Sequence, residues 1–447
     1  MDFAGKQIAV VGMAQSGLAV VEMLVARGAE VRAFDQKPAQ ELGQTAAALA
    51  RMGVKLEPQS SEGFEGVDMI VISPGVPANL AELEAARQRG ARVIGEVELA
   101  AEFLLGPTIG ITGANGKTTT TALVGHILKE SGFAAQVGGN IGRPVTAMIC
   151  TSRAGQWNVL ELSSFQLETI ECFRAHIGVC LNVTPDHLDR HGTFENYANA
   201  KARLFETQAV GDFAVLNADD ASCVEYARRT RARAVWFSTK RATSPGLYAD
   251  DERLYYDGAP FMTVAEIPLR GRHNVENTLA AAGAAHMAGV PLEAIAAAVR
   301  TFPGVEHRIE FVRKLGGVDF YNDSKATNVD ATMKSIEAFP GRLWIILGGK
   351  DKNSDYTVLK PLLHEKARAA LLIGAAAPKI AGHLGDSVRL IFAGTLDAAV
   401  RDAWSEAEPG DTILLAPACA SFDQFDSYEH RGRVFKEVVA KLEERRA

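Results

Sequence analysis

The chain has 447 residues, 47% of them hydrophobic and 23% charged, with a formal net charge of −7 at neutral pH. That composition is ordinary for a globular protein and its length predicts about three domains of roughly 150 residues each. The acidic balance argues against a general binder of nucleic-acid backbones. Five cysteines (Cys150, Cys172, Cys180, Cys223, Cys419) lack any CxxC spacing, which speaks against a disulfide framework or a zinc site and for a reducing, cytoplasmic setting. No apolar run approaches ~18 residues, so neither a membrane-spanning helix nor a membrane partner is expected.

The first block, residues 1–97, opens with "KQIAVVG", a buried strand rather than a signal peptide. "SGLAVVEMLVARG" follows as a helix ending at Gly28, then "EVRAFD" as the next strand and "VDMIVISPGV" as a third. This βαβ rhythm predicts a Rossmann-like parallel sheet. Gly12 and Gly17 fit the ends of a dinucleotide fingerprint, but Ala14 occupies its middle, where glycine lets a pyrophosphate approach. Asp35 ends the second strand, a position where an acid meets ribose hydroxyls. A nucleotide pocket is therefore expected, with NAD disfavoured; a Rossmann-like fold without a ligand is the alternative.

The second block, residues 98–303, carries "GPTIGITGANGKTTTTALVGHILKESG": strand, glycine loop, helix. Gly113, Gly116, Lys117 and Thr118 make G-x-x-G-K-T. Loop N–H groups and a helix N-terminus cradle phosphates, the lysine meets the terminal ones, and the threonine hydroxyl suits Mg²⁺. "QWNVLELSSFQLE" delivers Glu161 at a strand's carboxyl end, and "HIGVCLNVTPDHLDRHG" delivers Asp186 and His187 just past another. Ligands of open α/β sheets sit at those ends, so Glu161 and His187 are candidate metal ligands beside the phosphate loop.

Lys201 follows His187 by fourteen residues. In a helix starting at Phe194 it falls within a stripe of Phe194, Tyr197, Leu204 and Phe205. A surface lysine laying its stem along apolar atoms would produce the same pattern. A desolvated lysine instead has a depressed pKa. Its neutral amine can add CO₂ to become a carbamate, an anionic oxygen ligand for a second Mg²⁺ beside His187.

The third block, residues 304–447, starts after a break at Pro303–Gly304. Strands at "VDFYND", "RLWIILGG", "AALLIG", "SVRLIF" and "DTILLAPA" predict a second open Rossmann-like sheet. The loops after them hold Asp323, Ser324, Lys325 and Thr327, then Lys350 and Lys352, then Ser421. Clustered on one edge, these cations and hydroxyls suit a carboxylate ligand.

The stretches "GANGKTTTT", "ELSSFQLE", "LNVTPDHLDRHG", "YANAKARLF", "HNVENTLAA", "HRIE", "NDSKATNVDAT" and "PACASFDQF" together resemble the Mur ligase family over nearly the full length. The resemblance implies an α/β protein of three domains: a Rossmann-like domain for a uridine nucleotide, a central P-loop ATPase domain and a Rossmann-like amino-acid domain. It implies ATP-dependent addition of D-glutamate to UDP-N-acetylmuramoyl-L-alanine through an acyl phosphate, in peptidoglycan precursor synthesis, by a monomer. It further implies two Mg²⁺ ions and a carbamylated lysine matching Lys201.

Carried onto this sequence, the family pattern assigns Gly113, Ala114, Asn115, Gly116, Lys117, Thr118 and Thr119 to ATP phosphates. Thr118 and Glu161 fall on one Mg²⁺, His187 and Lys201 on the other, and Asn140 near the γ-phosphate and the substrate carboxylate. Asn274, Asn277, His307, Arg308, Asp323 and Lys325 complete the ATP site. Ser16, Asp35 and Gly75 match contacts to the uridine diphosphate, and Ser163 and Gln166 contacts to the muramoyl-alanine part. Thr327, Lys352, Ser421, Phe422 and Tyr428 match the D-glutamate pocket, where Lys350 competes with Lys352. Other readings are a P-loop regulatory switch, an NAD-dependent dehydrogenase, and a related ligase for another amino acid. No "DNPR"-type stretch, such as diaminopimelate-adding enzymes carry, is present.

Overall fold

The apolar runs become strands of three sheets in a computed structural model that describes residues 3–60 and 62–443. It divides into two compact units, residues 1–267 with 275–302, and residues 268–274 with 303–447.

The first unit holds two sheets. One contains β1 (Gln7–Val11), β2 (Glu30–Asp35), β3 (Lys55–Pro58), β4 (Met69–Ile72) and β5 (Arg92–Gly95), all parallel, in the order β3-β2-β1-β4-β5. Ile8, Val10, Val20 and Leu24 pack on one face, Val11, Phe34 and Ile70 on the other. The helix Gln15–Ala26 ends where expected, with Gly28 in the left-handed region at φ +79°. The "VDMIVI" segment is the fourth strand and not the third. β3 is short, charged and half-exposed at the sheet edge, so it has no apolar signature. β5 is too brief for periodicity to separate it from helix.

The second sheet contains β6 (Thr108–Thr112), β7 (Ala135–Gly139), β8 (Trp157–Glu161), β9 (Ile177–Cys180), β10 (Phe213–Asn217), β11 (Arg233–Ser238), β12 (Gly246–Ala249), β13 (Arg253–Tyr256) and β14 (Ala259–Thr263). Its order is β14-β13-β12-β11-β10-β9-β6-β8-β7, parallel from β7 through β12 and antiparallel from β12 to β14. β6 lies between β8 and β9, and all five of its residues are buried. The loops carrying Gly113, Glu161 and Asp186–His187 therefore leave three neighbouring strands at the same edge.

The second unit contains β15 (Glu310–Leu315), β16 (Val318–Asn322), β17 (Leu343–Gly348), β18 (Ala367–Ile373), β19 (Leu390–Gly394) and β20 (Thr412–Leu415), in the order β15-β16-β20-β17-β18-β19. All are parallel except β15, which forms an antiparallel hairpin with β16. Because β16, β20 and β17 are adjacent, the loops after them emerge side by side. Ile345, Leu347 and Leu414 pack on one face of this sheet, Trp344, Ile346 and Ile413 on the other. Burial of each such side chain contributes about 1.5–3 kcal/mol.

Candidate active site

The chain leaves β6 through a loop that only glycine permits. Gly113 has φ +151° and Gly116 φ +85°. A Cβ on Gly116 would stand 2.2 Å from Asn277 Oδ1. Asn182, immediately beyond β9, staples the loop: its carbonyl accepts from the Ala114 amide at 2.8 Å and its Oδ1 from the Asn115 amide at 2.8 Å. The helix Lys117–Glu130 follows, with Thr118 and Thr119 buried in its first turn. Lys117 Nζ donates to the carbonyls of Gly113 (2.8 Å) and Ala114 (2.9 Å). A lysine cation thus stands at a glycine loop that runs directly into a helix N-terminus, the arrangement that suits a phosphate.

Glu161 ends β8 beside this loop. Its Oε1 accepts from Asn140 Nδ2 at 2.9 Å, while its buried Oε2 has no hydrogen-bond partner. An unsatisfied buried acceptor costs about 1–3 kcal/mol, more when ionised. A buried carboxylate oxygen left open on the strand next to the one that leads into the phosphate loop fits a small hard cation such as Mg²⁺. The residues present thus fit both a nucleotide phosphate and a divalent metal.

The helix Phe194–Glu206, capped by Thr193, carries Lys201 inward. Lys201 is 1% exposed, donates from Nζ to the Gly113 carbonyl at 2.9 Å, and sits 4.6 Å over the Tyr197 ring. Burial, aided by the Lys117 charge, lowers its pKa to about 7. The expected stripe starts a turn late: Phe194 is 39% exposed, whereas Tyr197, Lys201, Leu204 and Phe205 are buried. Helical side chains lean toward the N-terminus, so one in the first position overhangs the end of the packed surface. His187 adopts a left-handed conformation (φ +52°), its amide donates to Asp186 Oδ1 at 2.9 Å, and its half-exposed ring lies against Phe165.

At the first sheet, a Cβ on Gly17 would lie 1.9 Å from the Gly12 carbonyl, so the helix can meet the strand only at glycine. Ala14 is exposed ahead of that helix, and Ser16 is half-buried within it. Asp35 accepts from the amides of Met13 (2.6 Å) and Lys37 (2.8 Å), so its carboxylate braces the glycine loop. The exposed Gly75 presents its carbonyl to Arg190 at 3.2 Å. Ser163 and Gln166 form a reciprocal capping box, which gives this spacing a structural reason of its own. A narrow crevice lined by Ser73, Val76, Glu96, Phe165 and Gln166 runs between these loops.

In the second unit, the Lys350 amide donates to the Ala420 carbonyl (2.8 Å) and the Ala420 amide to the Lys350 carbonyl (3.2 Å), joining the "GGKDK" and "PACASF" loops. Ser421 is buried, while Lys350 and Lys352 are both exposed. Phe422 is 67% exposed, so it lines no closed pocket here. Lys325 lies 5.9 Å over the Tyr428 ring, and its amide donates to the carbonyl of buried His307 at 3.1 Å. Thr327 and Arg308 are half-buried. Asp323 is buried and accepts from Ser335 Oγ; desolvation raises its pKa. Asn274, in this unit, donates from Nδ2 to the Arg270 carbonyl at 2.6 Å, whereas Asn277 belongs to the first unit beside Gly116.

Sequence reasoning missed three residues around Glu161 and His187. Asn182 staples the phosphate loop, Arg190 donates to the Gly75 and Val76 carbonyls, and buried His191 places its ring nitrogens 3.0 Å from Ser164 Oγ and 3.1 Å from Glu168. All three lie inside "LNVTPDHLDRHG", so their closeness to His187 was the available signal.

Three family models match the chain: "Mur ligase MurD-like, N-terminal domain" over residues 6–95, "Mur ligase middle domain" over 111–285, and "Mur ligase, glutamate ligase domain" over 307–419. The UDP-N-acetylmuramoylalanine–D-glutamate ligase of Solibacter usitatus is 62% identical over 443 residues, covering 99% of both chains. The protein of the same name from Acidobacterium capsulatum is 53% identical, covering 98% of this chain and 97% of its own. Among solved structures, UDP-N-acetylmuramate-alanine ligase MurC of Thermotoga maritima aligns with a TM-score of 0.63 at 19% identity, over 97% of this chain and 99% of its own. A pseudomurein peptide ligase type C from Methanothermus fervidus aligns at 0.59 and 20% identity, over 98% and 100%. With the phosphate loop built as described and relatives this similar along the whole length, the chain belongs to the Mur ligase family.

Proposed function

We propose that this protein is an ADP-forming amide ligase that joins D-glutamate to UDP-N-acetylmuramoyl-L-alanine, a step of peptidoglycan precursor synthesis. One observation carries the reading. A chain 62% identical to a ligase of that name brings Lys117, Lys201 and the open Glu161 oxygen to one phosphate loop.

An alanyl carboxylate does not condense with an amine unaided. Transfer of the γ-phosphoryl group of ATP to a carboxylate oxygen gives an acyl phosphate and ADP. Attack by the D-glutamate amine forms the amide and expels inorganic phosphate, with loss of the amine proton. The loop of Gly113 to Thr119 would hold the phosphates, and Lys117 would offset charge on the group in transit. Asn140, bonded to Glu161, would orient that carboxylate. Bound Mg²⁺ supplies charge neutralisation on phosphoryl oxygens; Thr118 and Glu161 would hold one ion, His187 and Lys201 the other.

Lys201 serves that role only as an anion. CO₂ adds to its neutral amine, forming an N–C bond and releasing a proton. The depressed pKa of Lys201 supports this, because near neutral pH a large share of the amine is unprotonated. We assign Ser16, Asp35, Gly75, Ser163 and Gln166 to the UDP substrate, Asn274, Asn277, His307, Arg308, Asp323 and Lys325 to ATP, and Thr327, Lys352, Ser421, Phe422 and Tyr428 to D-glutamate. The domain limits follow as 1–97, 98–303 and 304–447, in a cytoplasmic monomer. Among the described residues no helix is long and apolar enough to cross a membrane.

Phosphate release from ATP, measured with UDP-N-acetylmuramoyl-L-alanine and a panel of amino acids, tests the reading. D-glutamate should stimulate it. Stimulation by L-lysine or diaminopimelate alone would overturn the substrate, and release without need of any amino acid would favour a nucleotide switch.

A further inference from the structure

Arg431 is a cation in an unusual place. It lies in the first turn of the helix Tyr428–Ala440 and is 0% exposed. A buried guanidinium ordinarily has a carboxylate partner, yet Arg431 forms no ion pair among the described residues. Its donors go to neutral acceptors instead: Nε to Ser324 Oγ (2.9 Å), Nη2 to the Ser324 carbonyl (2.8 Å) and Nη1 to the Cys419 carbonyl (3.2 Å). A Cβ on Gly349 would stand 3.3 Å from Nη1. One guanidinium thus underlies all three loops, "NDSKATN", "GGKDK" and "PACASF". Asp423 acts on it only from beyond ion-pair contact, its own carboxylate accepting from the Ala375 amide at 2.9 Å.

The network extends further. The Tyr356 hydroxyl meets Cys419 Sγ at 3.0 Å and donates to Asp351 Oδ1 at 2.7 Å, and Lys379 Nζ donates to Asp351 Oδ2 at 2.7 Å. A single chain therefore runs Lys379–Asp351–Tyr356–Cys419–Arg431–Ser324. Three of its members, Ser324, Asp351 and Cys419, stand within two residues of Lys325, Lys350, Lys352 and Ser421, the cations and hydroxyl of the same loops. Burial lowers the Arg431 pKa to about 10, which still leaves it charged at neutral pH.

We propose that Arg431 is a specificity-determining positioning residue: its uncompensated buried charge, held beneath three loops, sets their register and favours an incoming amino acid with a side-chain carboxylate. Low-dielectric surroundings strengthen such a charge at a distance, and fixed donors cost no reorganisation when an anion arrives. The inference rests on the amino-acid pocket assigned above.

Steady-state kinetics at saturating ATP and UDP-N-acetylmuramoyl-L-alanine test it, comparing D-glutamate with D-glutamine, which keeps the shape and loses the charge. In Arg431→Met the KM for D-glutamate should rise about tenfold or more, and the preference for D-glutamate over D-glutamine should fall by a similar factor. KM for ATP should move by less than about twofold. Arg431→Lys should weaken binding of both amino acids yet retain the preference, since it keeps charge and loses the fork. A merely structural role would weaken both equally in every variant and leave the preference unchanged in Arg431→Met, which overturns the proposal. Should Arg431→Met fail to fold by circular dichroism, Tyr356→Phe carries the test. A preference for D-glutamate over D-glutamine that stays within about twofold of wild type in Tyr356→Phe then overturns it, whatever the change in KM; a preference that falls by more than that, with KM for ATP unmoved, supports it. A wild-type protein that D-glutamate does not stimulate would instead overturn the functional reading.

Discussion

Lys201 Nζ reaches across 88 positions of sequence to donate to the Gly113 carbonyl at 2.9 Å, and Lys117 Nζ donates to the same oxygen at 2.8 Å. Two amines share one acceptor. Both cannot carry full charge there cheaply, and the more deeply buried one yields, so Lys201 titrates near 7. Four expectations rest on this pair and on Glu161.

Stability should report the titration of Lys201. In the unfolded chain the amine keeps its proton up to about 10.5, whereas the folded protein releases it near 7. Between those values the unfolded state binds more protons, so stability rises with pH, by up to about 1.4 kcal/mol per unit from this one group. In CO₂-free buffer, denaturation of wild type and Lys201→Met between pH 7 and 10 should diverge, wild type gaining with pH relative to the variant. Parallel curves would show that Lys201 is not a desolvated cation.

Activity should depend on an anion at that position. Lys201→Ala should lose about 10²-fold or more in turnover while melting as a folded protein, since alanine is a good helix former. Acetate at high concentration should restore part of the rate. Full activity of Lys201→Ala in CO₂-depleted buffer would remove the lysine from the chemistry.

Lys117→Ala should abolish phosphoryl transfer, a loss of about 10³-fold or more. It should leave uridine-nucleotide affinity within about threefold, because Ser16, Asp35 and Gly75 belong to a different sheet. Acetate should not rescue it. Turnover near that of wild type would refute the phosphate-loop assignment.

Glu161→Gln removes the charge of the open oxygen and keeps its shape. The Mg²⁺ concentration giving half-maximal rate should rise about 10–100-fold, with Asn140 still able to donate to the remaining amide oxygen. A Mg²⁺ profile superimposable on that of wild type would mean that this oxygen holds no metal.

The phosphate loop was legible residue by residue because its chemistry is local. Gly113, Gly116, Lys117 and Thr118 are set by a turn and a helix start, which neighbouring residues specify. The strands β6, β8 and β9 were legible for the same reason, as apolar runs with polar ends. The short edge strand β3, the hairpin partner β15 and the β12–β14 antiparallel run were not, because half-exposed strands lack a decisive period. Phe194 was misplaced because periodicity says which face is apolar, not where the surface beneath it ends.

What the amino-acid order determined by itself was the kind of chemistry and the order of its parts: a glycine loop with its lysine, acids and a histidine at strand ends, and basic loops in the last third. Those signals are short-range, since turn preference, helix capping and strand alternation act over a few residues. What only the tertiary structure decided is which groups share an environment. Lys201 meets Gly113, Glu161 keeps an unpaired oxygen, and Arg431 lies beneath three loops without a carboxylate. Desolvation and hydrogen-bond satisfaction depend on every atom within a few ångströms, most of them remote in sequence, and only the packed chain brings those atoms together.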